Sequence, residues 1–356
     1  MEQALRQFRE QILDAGAGKQ ALRLRGSGSK DWYGQALQGE LLDTRGWSGI
    51  VDYDPTELVV TVRAGTSLSE LEQALAREHQ YLAFEPPHFG PGATVGGMVA
   101  AGLSGPRRQA AGAVRDFVLG ASIMDGRGQL LNFGGRVMKN VAGYDVSRLM
   151  AGSLGTLALL LEVSLKVMPR PAMETTLRLE LDQASALASL NQWGGKPLPL
   201  SASFWHDGQL FLRLSGAASA VRSASAALGG QPVQEADTPW NDLREQRHAF
   251  FPQEQEQEQG LWRLSVPSVT PPLEVPGDTA IEWGGALRWL RTSADAHTVR
   301  AAAARAGGHA TLFRGADKSA GVFQPLQPAL MAIHRRLKSS FDPDGVFGPG
   351  RMYPDF

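Results

Sequence analysis

Hydrophobic positions open the chain at helical spacing. Leu5, Phe8 and Ile12 share one face of residues 1–16, with charged residues between them, which predicts an amphipathic helix. Short apolar or alternating runs at 22–25, 40–43, 49–54 and 58–62 follow, separated by turn residues, and predict strands. Ser67 predicts the next helix start, because Ser67 and Glu70 have capping-box spacing and Leu68, Leu71 and Leu75 line one face. A strand over 82–84 is expected to enter residues 85–105, EPPHFGPGATVGGMVAAGLSG, the stretch around which the first half of the chain is organised. It contains six glycines and no lysine or arginine.

Within that stretch, 98–103 is small and apolar, a helix or tight coil packed under the loop. Residues 114–124 read as a strand, Asp125-Gly126 as a hairpin turn and 129–133 as the returning strand. A short helix through Leu149, a small-residue turn at 152–156 and a buried strand over 157–167 complete a first domain, closed by Pro169 and Pro171. The texture then changes. Strands are predicted at 175–181, 201–205, 209–214, 262–266, 280–283, 287–291 and 309–313, with helices at 183–192, 218–228 and 295–306. This order predicts an α+β sandwich with helices on one face. A last amphipathic helix, 325–341, carries Leu330, Ile333, Leu337 and Phe341 on one stripe. The expected boundaries are 1–171, 172–324 and 325–356.

Composition narrows the class. A chain of 356 residues, 43% hydrophobic and 20% charged, is long enough for two ordinary domains with real cores. A net charge of −1 gives no basic field for nucleic acid or anionic lipid. There is no cysteine, which excludes disulfides, thiolate catalysis and any iron–sulfur cluster held by thiolates of this chain. That absence fits a reducing compartment, and the expected location is cytoplasmic. No basic head precedes an apolar core at the N-terminus, and no apolar run approaches the roughly 20 residues that span a bilayer. No transmembrane segment is therefore expected.

Three small-residue turns fall in the first domain: Arg25, Gly26, Ser27, Gly28, Ser29 and Lys30; Gly92, Ala93, Thr94, Gly96 and Gly97; and Gly152 to Thr156 with Gly155. Glycine lets a ligand lie against the main chain, and loops of this kind present backbone N–H groups to an anion such as a pyrophosphate. A Rossmann fingerprint would be one G-x-G-x-x-G between a strand and a long helix, with an acid about 20 residues on. The chain lacks that arrangement. Two successive loops, each after a strand, suit a dinucleotide clamped from two sides.

Here the residues resemble the FAD-binding domain of the vanillyl-alcohol oxidase/p-cresol methylhydroxylase (PCMH) type. The marks are Arg25-Gly-Ser-Gly-Ser29, Ala93-Thr-Val-Gly-Gly97, Gly112-x-x-Arg115-Asp116, Gly143-Tyr-Asp145, Gly152-Ser-Leu-Gly-Thr156 and the closing FDPDGVFGPG. The stretches PPHFGPGATVGG, GPRRQAAGAVRDFVLG and VMKNVAGYDVSRLMAGSLGTLALLLEVSLKVMPRP resemble, more closely, the family of E-type FAD-binding subunits of bacterial glycolate oxidase. The resemblance implies an α+β fold: a PCMH-type domain of two α/β subdomains, a smaller α+β sandwich, and a C-terminal helix and tail returning to the FAD domain. It implies pyrophosphate contacts from Arg25–Ser29 and Gly92–Gly97, further FAD contacts from Ser104, Gly105, Gly152 and Gly155, and an adenine contact from Glu162 and Val163. Relatives that bind flavin covalently use a histidine where this chain has Ser29, so the FAD is expected to be non-covalent. The usual Asn-Pro-Gly near the C-terminus is here Gly348-Pro-Gly. No histidine pair matches the metal-and-base motif of the family's 2-hydroxy-acid dehydrogenases, and no metal is expected.

Oxidising a 2-hydroxy acid needs a base, a cation for the carboxylate and an electron acceptor. Arg107, Arg108 and Lys139 are the candidate cations, and His88, in the central loop, is the candidate base. Three readings stand. The chain is an FAD subunit of a glycolate-oxidising complex, relaying electrons or supporting a catalytic sister flavoprotein; or a stand-alone FAD-dependent 2-hydroxy-acid dehydrogenase; or a scaffold that has kept the fold alone. The first implies as partners a larger FAD-containing subunit and an iron–sulfur subunit, with peripheral placement at the inner membrane through them.

Overall fold

The computed structural model describes residues 2–135, 145–234, 238–251, 259–315, 317–354 and 356. The chain divides into two compact units: Met1–Leu103 with Ala113–Pro169 and Pro325–Phe356, and Ser104–Gly112 with Arg170–Gln324. The nine residues Ser104–Gly112 thus leave the first unit, which the sequence-based boundary at 171 did not separate.

In the first unit, an antiparallel sheet runs in the order Ile50–Asp54, Val59–Arg63, Leu159–Lys166, Val118–Met124, Leu130–Gly134 among the described residues. Leu159–Lys166 is central, and its apolar density follows from burial on both faces. A separate parallel pair joins Leu22–Arg25 to Glu40–Asp43. The helix Glu2–Gly18 buries Phe8, Ile12 and Ala15, the face its periodicity marks, in a core with Leu22, Leu42, Trp47, Met124, Leu159 and Phe347.

Four local expectations change in detail. The helix Leu68–Arg77 begins at Ser67, but Ser67 Oγ bonds Ser69 Oγ at 2.7 Å and makes no cap bond to the helix. The strand expected at 82–84 is Gln80–Tyr81, and Leu82–Phe84 is a buried turn ending at Glu85 with φ 49°. Residues Val114–Phe117 are a short helix before the strand Val118–Met124, and the Asp116 carboxylate accepts from Ala113 N at 2.8 Å. In the helix Pro328–Phe341 the expected apolar stripe is not buried: Leu330 is 49% and Ile333 51% exposed, and the residue that goes inside is Lys338.

In the second unit an antiparallel sheet has the order Gln231–Val233, Met173–Glu180, Gln209–Gly216, Leu200–His206, Asp278–Glu282, Leu287–Thr292, Gly260–Ser265, His309–Arg314 among the described residues. The helices Gln183–Gly194 and Ala218–Leu228 pack on one part of it, with Leu187, Leu190 and Val221 in the core. Ala296–Arg305 packs on another through Val299, Ala302 and Ala303. Among the described residues no helix is long and apolar enough to cross a membrane.

Candidate functional site

The helix Val95–Ala101 positions the site. Thr94 caps it, its Oγ1 accepting from Gly97 N at 3.2 Å, and Gly102 ends it in the left-handed conformation at φ 66°. Its first turn is laced to the end of the strand Val59–Arg63: Val95 N donates to Thr66 O at 2.9 Å and Gly96 N to Ala64 O at 2.7 Å. Its last turn holds the third small-residue turn, with Gly152 N bonded to Val99 O at 3.0 Å and Leu154 N to Ala100 O at 2.8 Å. A Cβ on Gly102 would lie 2.7 Å from Gly152 Cα, so this approach needs glycine.

The first loop faces this helix. A Cβ on Gly26 would strike Thr94 Oγ1 at 2.2 Å, and Cβ positions built on Gly92 and Gly90 lie 3.7 and 3.8 Å from the Cβ atoms of Ser27 and Ser29. The two loops therefore meet side by side. Between them runs a cleft lined by Arg25, Gly26, Ser27, Gly28, Ser29, Lys30, Thr94, Gly97, Leu154 and Arg351. It continues into a more apolar recess lined by Thr44, Ala64, Gly96, Gly155, Ala158, Leu159 and Leu160.

Charge in the cleft is positive on balance. Arg25 Nε lies 2.8 Å from Asp31 Oδ2, and Lys30 Nζ donates to His88 O at 3.0 Å. The Arg351 guanidinium donates to the carbonyls of Asp31, Tyr33 and Gln35, and burial brings its pKa down to about 10. An FAD pyrophosphate fits these residues. A Cβ on Gly97 would meet nothing nearby except Thr94 Oγ1, so the open space it faces is a cradle that any side chain there would fill. Arg25 and Lys30 supply countercharge, and the apolar recess suits a ring system.

The predicted residues separate. Arg25, Gly26, Ser27, Gly28, Ser29, Thr94, Gly96, Gly97 and Gly155 line the cleft or its recess. Gly92, Ala93 and Gly152 shape the loops that form it. Glu162 and Val163 do not line it. Val163 is fully buried, Glu162 Oε1 sits 3.8 Å from Arg63 Nε, and both main chains pair on two sides in the sheet. The recess is lined instead by Ala158, just before this strand, and by Leu159 and Leu160 at its start. Ser104, Gly105 and Arg107 belong to the other unit. There Gly105 O accepts from Trp283 Nε1 at 3.1 Å, while Arg107 is buried, donating to Glu174 Oε2 at 2.5 Å and Ser215 Oγ at 3.1 Å. Arg108 in the same segment stacks 4.5 Å over Trp283. Lys139 lies outside the described residues. Among the described residues no group of three or more His, Asp or Glu side chains is placed to hold a metal ion.

Sequence reasoning missed two features. One is Arg351, more than 300 residues from the loop it braces, for which the turn-rich tail was the only signal. The other is Glu72, whose Oε2 lies 3.0 Å from His88 Nε2. One of two carboxylates on the helix Leu68–Arg77, half-buried, it carries no local mark of that partnership.

The architecture and cleft define a flavoprotein of the PCMH type. Residues 6–134 match the FAD binding domain family, and the cofactor is FAD. The chain is 48% identical over 346 residues to the glycolate oxidase subunit GlcE of Escherichia coli (strain K12), covering 97% of this chain and 96% of that protein. It belongs to the family of that subunit and is an FAD-dependent oxidoreductase subunit. A shorter likeness joins it to the glycolate oxidase subunit GlcD of Bacillus subtilis (strain 168), 32% identical over 140 residues, 39% of this chain and 29% of that protein. The D-lactate dehydrogenase of Anaerostipes hadrus is 35% identical over 133 residues, 37% of this chain and 28% of that protein. The fold matches alkyldihydroxyacetonephosphate synthase with a TM-score of 0.64 at 14% identity, covering 96% of this chain and 73% of that one.

Proposed function

We propose that this chain is the flavin-bearing subunit of an assembly that oxidises glycolate to glyoxylate, supporting or exchanging electrons with a larger sister flavoprotein where substrate reacts. The observation that carries this reading is the cleft itself, with Gly97 open toward it and three cationic side chains, Arg25, Lys30 and Arg351, on its wall. The family membership supplies the substrate and the subunit role. Bound FAD supplies the two-electron acceptor that converting an alcohol to a carbonyl requires. In this reading Arg25, Gly26–Ser29 and Gly97 hold the pyrophosphate, and Ala158–Leu160 wall the adenine end. The FAD is held non-covalently, since Ser29 cannot form the link a histidine would. With no cysteine in this chain, a thiolate-held cluster belongs to an iron–sulfur partner, and any association with the inner membrane comes through partners.

The Glu72–His88 pair supports a second reading, a stand-alone 2-hydroxy-acid dehydrogenase. A carboxylate 3.0 Å from an imidazole orients it and fixes its tautomer, as a general base requires. Such a base is worth about 10²–10⁴-fold in rate. Anaerobic mixing of the isolated, flavin-loaded chain with excess glycolate or D-lactate separates the readings. The subunit reading expects no flavin bleaching by the chain alone and bleaching in the assembled complex. Prompt bleaching by the chain alone overturns it, and its loss in His88→Ala and Glu72→Gln would then identify the base.

A further inference from the structure

Lys338 is the one residue of the helix Pro328–Phe341 that is buried, and its neighbours explain why. Its ammonium donates to Asp342 Oδ2 at 2.6 Å, to Thr156 O at 2.6 Å and to Phe347 O at 2.7 Å. All three N–H donors are thereby used. Asp342, also buried, accepts from Val346 N at 3.0 Å and Phe347 N at 2.8 Å. Burial pushes the Lys338 pKa down, against the pull of Asp342. A charged pair in this position costs desolvation, and apolar residues of similar volume would often be as stable. What they could not reproduce is the simultaneous grip on two separate main chains.

Each of those two chains adjoins a wall of the cleft. Thr156 closes the turn whose Leu154 and Gly155 line it. Phe347 pairs with Leu22, Leu22 N donates to Val346 O at 2.7 Å, and Gly348 N donates to Leu22 O at 3.0 Å. Leu22 begins the strand that ends at Arg25, where the first loop starts. Three residues after Gly348, Arg351 grips the carbonyls that follow that loop. The C-terminal segment is therefore a strap across both walls, fastened at one end by Lys338 and at the other by Arg351.

We propose that Lys338 and Asp342 are positioning residues for the FAD cleft: from outside it, one ammonium spanning Thr156 O and Phe347 O sets the spacing of its two walls. The proposal rests on the assignment of FAD to this cleft. Neither side chain lines the cleft, so any effect on FAD passes through the spacing.

The test compares FAD affinity with stability in the full chain. Lys338→Met should raise the Kd for FAD about tenfold, the scale of ordinary coupling between sites. Leu75→Ala, a core change in the helix Leu68–Arg77, none of whose residues lines the cleft or its recess, serves as the control for simple destabilisation. It should leave the Kd within about twofold, as independent sites do. An unchanged Kd in Lys338→Met, or a rise no larger than in Leu75→Ala, overturns the proposal. Hydrogen exchange on the wild-type chain runs the same test without substitution. FAD at saturation should slow exchange of the Val346 and Phe347 amides by about tenfold, by reciprocity of the coupling. Slowing confined to the loop Gly26–Ser29 overturns the proposal even if Lys338→Met fails to fold. Gly97→Val separates the two possible failures, because retention of FAD in that variant refutes the cleft assignment itself.

Discussion

Gly96 lies against Ala64 so closely that a Cβ on Gly96 would stand 2.7 Å from the Ala64 Cβ and 3.0 Å from its carbonyl oxygen. A Cβ on the adjacent Gly97 would meet one atom alone, the cap oxygen Thr94 Oγ1, at 3.1 Å. Neither glycine has a positive φ, so both are needed for room rather than for backbone freedom. Gly96 is required by the fold, and in the proposed FAD site Gly97 is required by the ligand. Gly96→Val should therefore destabilise the apoprotein by about 1–3 kcal/mol or more through overpacking. Gly97→Val, which presses on the Thr94 cap oxygen alone, should cost the apoprotein less than Gly96→Val and abolish flavin retention. Thermal melts and flavin-to-protein absorbance ratios of the two variants check this, and equal losses in both would contradict it.

Thr94 joins the two loops, capping the helix through Oγ1 while packing on Gly26. Thr94→Val keeps the shape and removes the acceptor. It should cost about 1 kcal/mol of stability, the usual value of an N-cap, and weaken FAD binding in the same direction. Denaturant unfolding of the apoprotein and a flavin titration measure the two effects.

The flavin should leave the protein when it is denatured. Acid precipitation should release yellow colour to the supernatant, because Ser29 offers no imidazole for a covalent link. Colour retained in the pellet would contradict this.

The second unit should be acid-sensitive through His248. Burial lowers the pKa of this imidazole, and nearby His206, whose ring is 5.9 Å away, lowers it further. The unfolded chain then binds a proton that the folded chain resists. Stability from this site is fully present above the ordinary histidine value of about 6.5 and is lost as pH falls through the lower folded value. His248→Gln should flatten the fall in melting temperature between neutral pH and pH 5, and an unchanged slope would contradict the assignment.

Elements set by local chemistry were legible in the residues. The helix Ala218–Leu228 agrees with its alanine-rich pattern at both ends, and the strand Leu22–Arg25 agrees at both ends with its apolar run. The small-residue loops also announced themselves, since left-handed φ values at Gly28, Gly92, Gly152 and Gly155 are a local requirement. Elements set by distant partners were not legible. Leu330 and Ile333 make a helical stripe by spacing, yet spacing cannot say whether anything packs on it. Lys338 looks like a surface charge until Thr156, Asp342 and Phe347 surround it.

By itself, the sequence determined where the chain turns, which stretches repeat with helical or strand period, and which loops have the glycines to admit an anion, because each depends on φ/ψ preference and periodicity over a few residues. Only the tertiary structure decided that Gly96 meets Ala64, that Glu72 reaches His88, that Ala158–Leu160 rather than Glu162 and Val163 line the recess, and that Arg351 braces residues 31–35. Each of those relationships depends on which distant segments share a few ångströms of space, and burial and hydrogen-bond satisfaction are properties of that shared space rather than of any one segment.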